Sequence, residues 1–87
     1  MRYYRNVNKR TKILEAMRNN PRDWRIEELL SVSAKIGIEC RNHGGSHHVF
    51  SHPGVENDVS VPAHSPIKPV YIRQFLNLVD SVKELQS

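Results

Sequence analysis

The sequence has a single cysteine, no long apolar run, no repeat and no low-complexity tract among its 87 residues. A lone Cys40 makes no internal disulfide, which fits a reducing compartment, and a cytoplasmic protein is expected. No apolar stretch approaches the roughly 18 residues that cross a membrane. No basic-then-apolar segment at the start reads as a secretory leader. The absence of repeats at periods of roughly 20–50 residues excludes a solenoid. Length is scarce as well: a chain this short buries only about 60% of its unfolded surface. That allows one domain with one modest core, and it argues against a two-lobed enzyme or a deep cofactor cleft.

What the sequence does have is charge in one place. Thirteen Lys and Arg against nine Asp and Glu give a net charge of +4. Residues 1–25 alone carry +6, from groups such as Arg2, Arg5, Arg10, Arg18 and Arg22, and the remainder carries −2. A basic segment on a nearly neutral body suits an anionic partner, with nucleic acid first among them. A solvated terminus accounts for the same charge without a partner.

Hydrophobic spacing gives the elements. Ile13, Leu14, Ala16 and Met17 predict a short helix, capped by Asn8 or Thr11 and closed before Pro21. Ile26, Leu29, Leu30, Ser33 and Ile36 form the inner face of a second helix, with Glu27 and Glu28 in its first turn and Gly37 ending it. Trp24, just before it, reads as a packing anchor. From Ile38 the period becomes two, and Cys40 takes the inward parity as a small core residue. Asn42 to Ser46, with its paired glycines, predicts a tight hairpin into a strand from His47 to His52. A polar loop over Glu56, Asn57 and Asp58 and a third strand, Val59 to Val61, are expected before Pro62. Residues 62–69 hold three prolines and predict an extended loop. Pro69 then opens a last helix with Ile72, Phe75, Leu76, Val79 and Val82 inward, and Tyr71, Leu78 and Leu85 widening the stripe. The order is α-α-β-β-β-α. The fold class is α+β, a two-layer sandwich of a three-stranded antiparallel sheet with helices on one face.

Four of the five histidines, His43, His47, His48 and His52, fall within ten residues, and His64 follows the third strand. Three chemistries compete for them. A metal site needs a convergent set of ligands, whereas strand alternation puts His47 opposite His48 and His52. Structural histidines bonded to backbone are common, and His43 and His52 fit that role best. Acid–base catalysis is the third reading: an imidazole exchanges protons near neutral pH, and RNA supplies its own nucleophile in the 2′-hydroxyl. Such a reaction needs little machinery and matches the small size.

The stretch Gly45-Ser46-His47-His48-Val49-Phe50-Ser51-His52-Pro53, followed by Val59-Ser60-Val61-Pro62 and an apolar-striped helix, resembles the HicA toxins of bacterial toxin–antitoxin pairs. The resemblance runs from about Ile26 to Leu85. It implies a double-stranded-RNA-binding-domain-like sandwich over residues 23–87, preceded by a basic extension with a short helix over residues 1–22. It implies a metal-independent endoribonuclease, without cofactor, that cleaves messenger RNA, arrests growth and is neutralised by a HicB-like antitoxin, with assembly into higher-order toxin–antitoxin complexes. The family's catalytic His falls on His48, with His47 and Ser46 as auxiliary candidates. The sequence departs from the pattern in three places. Residues 1–22 are additional, Gly44-Gly45 replaces a basic residue before the Gly-Ser pair, and Ala63-His64-Ser65-Pro66 stands where His-Pro is usual.

The RNA is expected to meet Gly45 and Ser46 at the turn, Arg41 on the first strand, and Lys68 and Arg73 around the start of the last helix. No metal ligands and no membrane contact are expected. A non-catalytic RNA-binding module or adaptor with the same fold is the alternative, since fold does not fix function.

Overall fold

The computed structural model describes residues 9–42 and 44–86. Its elements are α1 (Lys9–Asn19), α2 (Ile26–Ile36), β1 (Glu39–Arg41), β2 (His47–His52), β3 (Val55–Pro62) and α3 (Pro69–Gln86). The strands form one antiparallel sheet in the order β1-β2-β3. Three helices and this sheet make the expected α+β arrangement, in the expected order.

Each helix end has a local cause. At α2, Glu28 reaches back and accepts the Arg25 N–H at 2.9 Å, satisfying a donor that the helix leaves open. Gly37 ends the same helix with φ 83°, in the left-handed region, and its N–H returns to the Ser33 carbonyl. The first-helix caps proposed from sequence, Asn8 and the Thr11 side chain, lie outside what is described. Trp24 is half-buried, donates its indole N–H to the Asn20 carbonyl at 2.7 Å, and accepts the Ile67 N–H on its own carbonyl at 2.9 Å. It therefore ties the α1–α2 connection to the proline-rich loop.

One core lies between the sheet and the helices. Phe50 of β2 and Phe75 of α3 meet edge to face with ring centroids 5.2 Å apart. Leu29, Val61, Ile72, Val79 and Val82 are fully buried around them. α1 adds Leu14 and Met17 to the same core and packs on α3, where Arg18 forms an ion pair with Asp80.

Four expectations change. Ala16, placed on the apolar stripe of α1, is exposed. Val32 is buried, although the stripe assigned to α2 omitted it, while Leu30 is half-buried. Leu85 stays 54% exposed rather than joining the α3 stripe. The polar loop at Glu56–Asp58 is strand: β3 runs for eight residues from Val55. Its polarity misleads because the pairing shifts register between Phe50 and His52, and this irregularity takes up the extra residues of β3.

Candidate active site

The turn from β1 into β2 is organised by one side chain, Asn42. Its Oδ1 accepts the Gly44 N–H at 2.8 Å, an Asx-type turn. Its Nδ2 donates to the Gly45 carbonyl at 3.1 Å and to the His47 carbonyl at 3.2 Å. Gly44 takes φ 88°, which costs glycine little. The same Nδ2 stands 3.3 Å from Nδ1 and 3.2 Å from Nε2 of His48. The two N–H bonds of this amide are shared among these acceptors, so whichever ring nitrogen lacks a proton accepts one branch of a bifurcated bond. From sequence, Asn42 reads only as a turn residue. Its contact with His48 depends on the two strands closing, which no local pattern reports.

His48 opens the inward side of β2. It pairs with the buried Val61 on β3, and Phe50 follows on the same face. The ring is half-buried at the end of the sheet. His47 and Ser46 are exposed beside it, with Ser46 Oγ 3.5 Å from His47 Nδ1. The Ala63 N–H donates to the Ser46 carbonyl, holding the turn against the start of the proline-rich loop. Gly45, Ser46, His47 and His48 are consecutive at the turn, with His47 and His48 on alternate faces of β2. Lys68 lines a small cavity with Pro62, the partner of His47, and with His64.

Two expected phosphate contacts sit elsewhere. Arg41 pairs with Val49 and projects on the face of the sheet opposite His48, where it bonds Asp58 at 3.0 Å. Both partners are about half exposed, and such surface pairs contribute only about 0–1 kcal/mol. Arg73 lines a shallow groove with Arg18, Leu76 and Asn77 on the α1 side of α3.

The other chemistry-bearing groups resolve differently. His52 accepts the Gly54 N–H on Nδ1 at 3.0 Å and locks the β2–β3 turn, the structural role expected of it. His43 lies outside the described residues. Among those described, no group of three His, Cys, Asp or Glu side chains is placed to hold a metal ion. Cys40 is half-buried against the core, and burial pushes its thiol pKa up, away from thiolate chemistry. No described helix is long and apolar enough to cross a membrane.

A half-buried imidazole at a strand end, held by an amide and flanked by a glycine turn and a hydroxyl, can move a proton at a bound anion. Comparison with known proteins gives this arrangement a family. Among curated proteins and among solved structures, nothing matches the chain. A family model, described as the HicA toxin of bacterial toxin–antitoxin systems, matches residues 26–80. That span runs from the first residue of α2 through the whole sheet and well into α3, taking in the glycine turn and His48, and the chain belongs to the HicA toxin family.

Proposed function

We propose that this toxin is an endoribonuclease that cleaves messenger RNA without a metal ion, and that a HicB-like antitoxin neutralises it. The observation that carries the reading is the half-buried His48, held by the Asn42 amide beside an exposed glycine turn. His48 takes the proton of the substrate 2′-hydroxyl as that oxygen attacks the neighbouring phosphorus. The P–O5′ bond breaks, leaving a cyclic 2′,3′-phosphate on one fragment and a 5′-hydroxyl on the other. The proton received by the leaving 5′-oxygen comes from water or from a neighbouring imidazole, His47 or His64. Ser46 and the amides at Gly45 approach the phosphate closely, and Lys68 supplies a cation. Arg41 and Arg73, which lie away from the turn, contact backbone phosphates of RNA that extends beyond it.

Positioned proton transfer is worth roughly 10²–10⁴-fold, so His48→Ala is expected to lose at least about 10² in cleavage rate while keeping its fold. Parental activity persists in chelator. Full cleavage by the variant defeats the assignment, and loss of parental activity in chelator restores a metal reading. RNA binding that weakens with salt but yields no cleavage product supports the adaptor alternative instead. The partner is tested by co-expression: a small protein encoded beside this chain co-purifies with it and suppresses cleavage.

A further inference from the structure

Beyond the proton-transfer group, we infer that the cavity between the end of β3 and the start of α3 is a pocket for one unpaired RNA base next to the cleaved bond. The inference rests on the ribonuclease reading for its substrate class. The cavity measures about 140 Å³ and is lined by Pro62, His64, Pro66, Lys68 and Tyr71. Sites that enclose a whole drug-sized ligand run to about 300–1,000 Å³, so this one suits a single ring system.

Its position is fixed by backbone bonds. Pro62 pairs directly with His47, and the Ala63 N–H bonds the Ser46 carbonyl, so the cavity adjoins the glycine turn at Ser46 on the His47 side of β2, one residue before His48. The other wall is anchored too. Ile67 is buried and bonded to Trp24, and the N–H groups of Tyr71 and Ile72 both reach the Lys68 carbonyl in the first turn of α3. A pocket held on both sides before binding spends little ordering entropy on its ligand.

The lining chemistry selects a base. Tyr71, partly buried at the edge of the core, brings an aromatic ring to the lining and the two prolines bring apolar surface, the kinds of surface on which unstacked RNA bases rest. Lys68 has no ion-pair partner among the described residues, and the Tyr71 hydroxyl has no hydrogen-bond partner among them. These groups remain available for a flanking phosphate and for a base edge. A carboxylate side chain would engage Lys68 but leave the aromatic and proline surface unfilled, whereas a base with its flanking phosphate uses both.

The test separates this pocket from the catalytic reading. Tyr71→Leu keeps apolar bulk and removes the ring. On RNA, its KM is expected to rise at least about fivefold, the low end of a lost base–aromatic stack. Sequenced cleavage ends lose their base preference at one position beside the cut. A folded Tyr71→Leu that cuts the same sites with the parental KM overturns the inference. A second measurement needs no cleavage. Titrating the parent protein with 2′-O-methyl RNA tetranucleotides, which lack the attacking hydroxyl, shifts the NMR signals of the Tyr71 ring. Unmoved Tyr71 signals at saturation overturn the pocket even if Tyr71→Leu fails to fold. Cleavage by His48→Ala at the parental rate defeats the catalytic reading and leaves the titration to judge the pocket.

Discussion

At the scale of single residues, Asn42 links the shape of the turn to the orientation of His48. One amide holds Gly44, Gly45 and His47 and touches both ring nitrogens of His48. Asn42→Ala removes all of these contacts. If His48 moves the proton, the variant loses up to about 10²-fold in kcat, because small displacements of a catalytic group cost that much. Its His48 ring signals in NMR change with it. A variant with parental kcat and parental ring signals removes Asn42 from the mechanism. Ser33 makes a contrasting case. It is buried and its hydroxyl has no partner among the described residues. An unsatisfied buried hydroxyl costs about 1–3 kcal/mol. Ser33→Ala is therefore expected to raise the melting temperature, and a lowered one refutes that account. Sequence spacing placed Ser33 inward correctly, but its lack of a partner is visible only once neighbouring elements are in place.

At the scale of elements, the hairpin around the paired glycines follows from local chemistry. Gly44 sits at φ 88° with open space where a Cβ would stand. Gly44→Ala therefore meets no clash, and its cost is conformational, about 1–2 kcal/mol. Equilibrium denaturation checks this, and a neutral result would mean the turn relaxes to another conformation. Local chemistry failed on β3. Glu56, Asn57 and Asp58 are all exposed, as a loop would be, yet their backbone continues the strand. Exposure on an edge strand and exposure in a loop leave the same polar trace in the sequence. The shifted pairing with β2 separates them, and pairing is a property of two segments.

At the scale of the whole molecule, α1 belongs to the same core as the family-matched region. Met17 is fully buried and Leu14 nearly so, while the family match begins at residue 26. A buried Met→Ala change costs about 2–5 kcal/mol, a large share of the about 5–15 kcal/mol that holds a domain together. Met17→Ala is expected to lower the free energy of unfolding by that amount in equilibrium denaturation, and an unchanged free energy would show that α1 adds no stability. Part of the basic charge of residues 1–25, including Arg18, therefore sits on a helix that is packed into the core. The sequence by itself determined the element order, the glycine ends of α2 and the hairpin, most of the core and the family, because these rest on periodicity, backbone freedom and a contiguous motif. Only the tertiary structure decided that Asn42 meets His48, that Arg41 lies on the opposite face bound to Asp58, and that Tyr71 and Lys68 share a cavity beside Ser46. Each of those depends on where separate segments come to rest, and a sequence read along the chain carries no distance between them.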